Sequence, residues 1–274
     1  MKINFTKMHG LGNDFIVING IEHILDNPSQ FAAKWCDRHF GIGANQLLLL
    51  EKSETADFKM RIFNSDGGEV EMCGNGIRCF AKYIINNKLS DKFEFKIETL
   101  AGIITPQILG DKVKVNMGAP KLKPSEIPVI FDTDNPIIDE PFQFGDKVYH
   151  ITTVSMGNPH CVIFLDKLDS LDITKIGPMI ERAGIFPKRT NVEIVEVIDD
   201  KNIKVRVWER GAGLTLACGT GACACAVAAG LNGLAGKEVN VSLPGGDLYI
   251  QWAEDGNIYM TGPGETVFSG TIEI

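Results

Sequence analysis

The sequence predicts an α+β protein made of two pseudo-symmetric α/β domains, related by duplication of one unit. Three observations carry that expectation. First, Met72-Cys73-Gly74-Asn75-Gly76 and Ala217-Cys218-Gly219-Thr220-Gly221 repeat one pattern 145 positions apart. The same offset maps Gly12-Asn13 onto Gly157-Asn158, Gln46 onto Asn191, and Lys59–Asn64 onto Lys204–Glu209. A period that long is too large for a solenoid unit and reads as a repeated domain. Second, short strand-like segments dominate both halves and come in the same order. Third, each Cys-Gly pattern opens a helix. The second of these, Thr220–Leu231, is almost entirely small residues and has no polar face, so it must be buried on all sides. Each such helix is therefore expected at the centre of its domain, wrapped by sheet.

The elements follow in order. After a Gly/Asn-rich turn at 10–14, Phe15–Ile18 is an apolar strand run, and a helix is expected near Pro28–Asp37. A glycine turn at 41–44 leads into a strand at Gln46–Glu51, and another strand covers 58–64 before the tight turn Asn64-Ser65-Asp66-Gly67-Gly68. Beyond Cys73, the apolar positions Ile77, Phe80, Ala81, Ile84 and Ile85 recur at helical spacing. Strands at Phe93–Glu98 and Lys112–Asn116 complete the first half, and the proline-bearing stretch Pro120–Pro141 reads as a crossover. The second half repeats the order: a turn at Asn158, a strand at Cys161–Leu165, a helix near Ile173–Ala183, strands at Asn191–Val197 and Ile203–Glu209, then the motif helix.

Composition narrows the class. With 274 residues, 44% hydrophobic and 23% charged, the chain is long enough for two cores of ordinary globular character. The net charge of −8 with no basic block argues against nucleic acid or an anionic membrane as partner. No apolar run approaches the length of a membrane helix and no signal-peptide pattern opens the sequence, so a cytoplasmic protein is expected. Seven cysteines form no disulfide framework and are expected to be free thiols.

Two like thiols, one from each half, suit removal of a proton from one face of a carbon and its replacement on the other. A cysteine just ahead of a helix is favoured as thiolate by the unpaired N–H groups and the positive end of the helix dipole. The glycines leave those N–H groups open to a ligand. A substrate carboxylate held by N–H groups of Gly74, Asn75, Gly219 and Thr220 would place its α-carbon between the two sulfurs. One cysteine would act as thiolate base and the other as thiol acid. His160 and Glu209 are candidates for setting how the two share their proton.

Beyond these motifs, the chain resembles the diaminopimelate epimerase family along essentially its whole length. The resemblance rests on Lys7-Met8-His9-Gly10-Leu11-Gly12-Asn13-Asp14-Phe15, Cys73–Cys79, Ser155-Met156-Gly157-Asn158-Pro159-His160-Cys161, Glu209–Gly213, Ala217–Ala222 and Leu243-Pro244-Gly245-Gly246. It implies a cofactor-independent, metal-free epimerase that converts LL- to meso-diaminopimelate in lysine and peptidoglycan precursor synthesis, and commonly a homodimer. Cys73 and Cys218 would be the acid/base pair, tuned by His160 and Glu209. Asn13, Gln46, Asn64, Asn158, Asn191, Glu209 and Arg210 would hold the distal half of the substrate; the planar fork of Arg210 suits a carboxylate. The implied fold is a barrel-like, mostly antiparallel sheet around a central helix in each domain, with the active site in the cleft between them. The domains are set at 1–118 and 119–263, with a terminal strand at 264–274 completing the first. One departure is Asn45, where the family usually carries an acidic residue; a local loop effect is expected.

Plainer readings stand beside these. Cys36, Cys79, Cys161, Cys223 and Cys225 read as small core residues. The local cysteine clusters lack the pair spacing of structural zinc. Arg61 and Arg206 occupy matching positions and can simply brace the sheet. Asn13 and Asn158 can serve as turn formers. Two alternative functions remain: a proline or hydroxyproline racemase, which would leave Arg210 and the amide cluster idle, and a redox protein joining the two thiols reversibly.

Overall fold

The computed structural model describes residues 2–273. The chain separates into two compact units, Met1–Asn116 with Thr261–Ile274, and Met117–Met260. The first contains β1 (Lys2–Gly10), β2 (Asn13–Asn19), α1 (Pro28–Trp35), β3 (Gln46–Glu51), β4 (Phe58–Asn64), β5 (Glu69–Val70), α2 (Gly74–Asn86), β6 (Ile97–Thr99), β7 (Gly102–Ile104), β8 (Gln107–Leu109) and β9 (Lys112–Asn116). There follow β10 (Glu140–Phe144), β11 (Lys147–Ser155), β12 (Pro159–Leu165), α3 (Ile173–Glu181), β13 (Asn191–Asp199), β14 (Asn202–Glu209), β15 (Gly213–Thr215), α4 (Gly219–Leu231), β16 (Glu238–Leu243), β17 (Gly246–Trp252) and β18 (Ile258–Pro263). The last strand, β19 (Glu265–Glu273), pairs antiparallel with β1.

The duplication is written in the hydrogen bonding. In the first unit the strand order is β19-β1-β2-β3-β4-β6-β7, with β5 on β4; in the second, β10-β11-β12-β13-β14-β16-β17 continues to β18, with β15 on β14. Two junctions in each unit are parallel, and they fall at matching places: β2–β3 and β4–β6 in one, β12–β13 and β14–β16 in the other. The expected arrangement of a mostly antiparallel sheet around a central helix is found in each unit, with α2 and α4 as the central helices; among the described residues both strand paths are open and neither closes into a barrel. A turn repeats as well. Gly12 (φ +83) and Gly157 (φ +95) hold the conformation that only glycine adopts without strain, just ahead of Asn13 and Asn158.

Each sheet is covered on both faces, which explains why β2 and β3 are continuous apolar runs and do not alternate with polar residues. Ile16, Ile18, Leu47, Leu49 and Phe63 form one face, packed with Trp35 of α1. The intervening residues face α2, which also packs against β1, β9 and β19. In the second unit Cys161, Ile163, Val192 and Ile194 pack with Ile173, Ile176 and Ile180 of α3. The opposite face meets α4, whose small residues from Ala222 to Ala229 are all buried against β11–β14, β16 and β17. Among the described residues no helix is long and apolar enough to cross a membrane.

The main differences from the sequence reading concern strands. β1 was not expected, nor were β11 and β16–β18. In β1 and β11 the alternation is broken by the buried polar residues Thr6, Lys7, Thr152 and Thr153, whereas β16–β18 do alternate buried with more exposed positions. The strand expected at Phe93–Glu98 shrinks to Ile97–Thr99, because its first residues make only an isolated bridge from Glu94 to Gln107. The stretch from Pro120 that reads as a crossover is no free linker: Ile127, Val129 and Ile137 are core residues of the second unit.

Candidate active site

Cys73 caps α2. Its backbone is extended (φ −141°, ψ 114°) and its sulfur accepts the Gly76 N–H at 3.4 Å. The sulfur therefore occupies the place that a serine or aspartate oxygen takes at most helix starts. A chain of oriented amides leads to it. Arg38 Nη2 donates to Asn45 Oδ1 at 2.6 Å, Asn45 Nδ2 donates to Asn13 Oδ1 at 2.9 Å, and Asn13 Nδ2 reaches Cys73 Sγ at 3.7 Å. Arg38 is itself clamped on Asp14. Asn45 thus does more than shape a loop: by taking the carbonyl of Asn13 it turns the Asn13 amide nitrogen toward the sulfur.

Under the first turn of α2 lies Arg78, fully buried. Its guanidinium donates to Gly74 O at 3.1 Å, Asn75 Oδ1 at 2.9 Å and Pro263 O at 3.0 Å. It holds the motif's backbone from below and immobilises the Asn75 side chain.

Cys218 caps α4 in the same way (φ −123°, ψ 116°), accepting the Gly221 N–H at 3.4 Å and lying 3.4 Å from Thr220 Oγ1. It is nearly buried, whereas Cys73 is half-buried. Burial pushes the Cys218 thiol well above its ordinary range, and the carboxylates of Glu209 and Glu193 add to the effect; the Thr220 hydroxyl and the Gly221 N–H oppose it. His160 is fully buried, with Nδ1 2.7 Å from Glu193 Oε1 and Nε2 3.1 Å from Asn158 Oδ1. Glu209 Oε1 accepts the Thr215 hydroxyl at 2.6 Å.

The remaining predicted residues fall into two groups. Gln46 and Asn64 meet on β3 and β4, Nε2 to Oδ1 at 2.8 Å, and Gln46 Oε1 is buried with no partner among the described residues. In the second unit Asn191 bridges backbone, donating to Pro159 O and accepting the Arg210 N–H, both at 2.9 Å. It therefore fixes the chain where Arg210 begins. The Arg210 side chain is exposed and rests on Lys188 O at 3.1 Å. Gly219 is buried in the first turn of α4 and Thr220 is partly exposed beside the sulfur. Cys36, Cys79, Cys161, Cys223 and Cys225 are buried thiols.

Sequence reading missed two contributors. Glu193 is one; its signal was an acidic residue amid Val192, Ile194 and Val195 in a strand buried on both faces. Glu181 is the other. It accepts Trp208 Nε1 at 2.9 Å and the Gly211 N–H at 3.0 Å, and so anchors the turn that carries Glu209 and Arg210. Those donors, together with Arg182 and Arg189, outweigh its burial and hold its carboxyl below the usual range.

The two helix starts differ in how tightly they are floored. A Cβ at Gly221 would stand 2.8 Å from Glu193 Oε1, whereas one at Gly76 would meet nothing closer than 3.3 Å. Gly221→Ala is expected to cost about 1–3 kcal/mol by overpacking, and more than Gly76→Ala. Denaturant midpoints of the two variants check this; equal losses would contradict it.

The twin sheets, each with a cysteine-capped helix at its centre, define a class. A PhzF-family phenazine biosynthesis protein from Bacillus anthracis matches over 100% of both chains (TM-score 0.74, 17% identity). A hydroxyproline epimerase from Agrobacterium vitis, solved with trans-4-hydroxy-L-proline bound, matches over 99% of this chain and 91% of its own (TM-score 0.68, 14% identity). The fold is thus the duplicated one that these proteins share. Within it, the chain belongs to the diaminopimelate epimerase family, cofactor-independent isomerases. That family's profile matches residues 5–123 and 152–267. Diaminopimelate epimerases of Methanococcus maripaludis strain C5 and Acetivibrio thermocellus are each 51% identical, the first across 99% of this chain and 100% of the relative, the second across 99% of both.

Proposed function

We propose that this isomerase interconverts LL- and meso-diaminopimelate by two-base proton transfer at one α-carbon, with Cys73 and Cys218 as the two bases. The observation that carries the reading is that both thiols stand at the N-cap of a buried helix and take its third N–H on sulfur. Each sulfur thus has a positive helix end and a hydrogen-bond donor to stabilise it as thiolate. The remaining first-turn N–H groups, of Gly74, Asn75, Gly219 and Thr220, are the donors proposed for the α-carboxylate. They would stabilise charge that builds on that carboxylate as the α-proton leaves.

The Cα–H of an amino acid is far less acidic than a thiol, so the step depends on these donors and on exclusion of water. In the reaction one thiolate accepts the α-proton, the opposite thiol delivers its proton to the other face, and the enzyme ends with the two protonation states exchanged. His160 and Glu209 are proposed to govern that exchange. Gln46, whose Oε1 is buried and unpaired, and Asn64 are proposed for the distal ammonium; Asn13, Asn158, Asn191, Glu209 and Arg210 are proposed to complete the recognition of the distal carboxylate and stereocentre. The family's biosynthetic role supports a place in lysine synthesis, and its usual habit supports a cytoplasmic homodimer, which sedimentation would test.

The test is incubation of the reduced protein with LL-diaminopimelate in D₂O without added cofactor. Meso product carrying solvent deuterium at one α-carbon is the expected result. Turnover of proline in its place would move the reading to a racemase, and turnover of neither would return the cysteines to a binding or redox role.

A further inference from the structure

The two thiols share a local geometry but not an electrostatic floor. Position for position across the 145-residue repeat, Phe15 corresponds to His160 and Leu48 to Glu193. The structure puts these pairs in the same place. A Cβ on Gly76 would touch Leu48 Cδ2 and Phe15 Cε1 at 3.4 and 3.5 Å, and a Cβ on Gly221 would meet Glu193 Oε1 at 2.8 Å. Beneath Cys73 the sheet presents hydrocarbon; beneath Cys218 it presents a carboxylate bonded to an imidazole.

We propose that Glu193 is a positioning residue of the second thiol, holding the proton on Cys218 in the resting enzyme and leaving thiolate character to Cys73. The proposal rests on the two-thiol reading above and deepens it. Glu193 is fully buried, with one oxygen 2.7 Å from His160 Nδ1 and the other, Oε2, buried with no hydrogen-bond partner among the described residues. Burial raises the proton affinity of this carboxyl, and the bond to His160 opposes that by favouring the charged form. Charge held there acts through a dry interior, where neighbours feel it strongly. A second negative charge forming on the Cys218 sulfur is thereby opposed. The hydrogen bond to Nδ1 also fixes the imidazole plane and directs Nε2 at Asn158.

The other charged groups around this point strengthen the contrast. On the sheet face that α4 covers, β12 contributes His160, β13 Glu193 and β14 Glu209. The residues presented by β11, β16 and β17 are Thr152, Val154, Val239, Val241, Leu243, Leu248 and Ile250, none of which titrates. On α4 itself Cys223 and Cys225 are buried thiols. In the first unit the repeat partner of Cys223 is Arg78, a buried cation bonded to the turn that Cys73 begins. One thiol is backed by carboxyl groups and the other by a guanidinium cation.

The test is the pH dependence of alkylation by iodoacetamide, followed at Cys73 and Cys218 separately by peptide mass spectrometry, on the reduced full-length protein without substrate. Reading the midpoint, not the rate, removes the effect of unequal access. In the unsubstituted protein the Cys73 midpoint is expected below that of Cys218. In Glu193→Gln the Cys218 midpoint should fall by about one pH unit, roughly tenfold more thiolate at a given pH, with Cys73 unmoved; Glu193→Asp should restore the original order. The Gln variant keeps a partner for His160 and removes a carboxylate whose proton affinity burial has raised, so it is expected to fold. Coincident or reversed midpoints in the unsubstituted protein overturn the proposal even if that variant does not fold. So does a Cys218 midpoint unchanged in folded Glu193→Gln. Because no substrate is present, failure to turn over diaminopimelate would sink the functional reading without deciding this one.

Discussion

Replacing either Cys73 or Cys218 by serine is expected to lower kcat/KM for epimerisation roughly 10²–10⁴-fold, the usual worth of a positioned acid or base, while the fold survives. Both sulfurs already act as helix caps, accepting the Gly76 and Gly221 N–H groups. Serine is among the best residues for that task, so the helix starts should hold. A hydroxyl, however, ionises far less readily than a thiol and cannot serve as the resting base. The loss should therefore appear in steady-state kinetics and in deuterium uptake, with circular dichroism and Tm close to those of the parent. The two substitutions should be far from additive, since removing one base already stops the transfer. Full activity in either variant would remove that cysteine from the mechanism.

The largest effect on stability is expected at Arg78. Its guanidinium is fully buried and serves three carbonyl-type acceptors, Gly74 O, Asn75 Oδ1 and Pro263 O. Arg78→Ala would remove one buried donor from each of these acceptors and open a cavity, at a cost of about 3–5 kcal/mol. That is a large part of the roughly 5–15 kcal/mol that keeps a typical domain folded. Thermal melting should fall by about 10 °C. Arg78→Lys should recover only part of the loss, because an ammonium cannot reach in three directions as the planar fork does. The residual activity of Arg78→Ala below its melting point should also drop, as the turn carrying Gly74 and Asn75 loosens. A variant that melts with the parent would show that those acceptors have other donors.

Much of the fold and of the candidate site is legible in the amino-acid sequence, for specific physical reasons. Cys73 and Cys218 stand out because a motif repeated at a fixed long offset, with flanking segments repeated in step, is no accident. α2 is visible because Ile77, Phe80, Ala81 and Ile84 keep helical spacing, and α4 because it offers no polar face. β3 takes its observed bounds because Leu47–Leu50 is flanked by polar residues at Gln46 and Glu51. Among the strands that escape, β1 and β11 carry Thr6, Lys7, Thr152 and Thr153 in the interior, where they obscure the alternation that marks a strand.

The sequence by itself determined the duplication, the two helix-capping thiols and the amide-rich constellation, because each is a pattern along the chain. The tertiary structure alone decided that both sheets stay open and that Asn45 orients Asn13. It also placed Glu193 with His160 under one thiol, and Leu48 with Phe15 under the other. Those are contacts between residues far apart in sequence. Which side chains share a face, and whether a buried carboxylate finds a partner there, depends on strand pairing and register that local propensity does not encode.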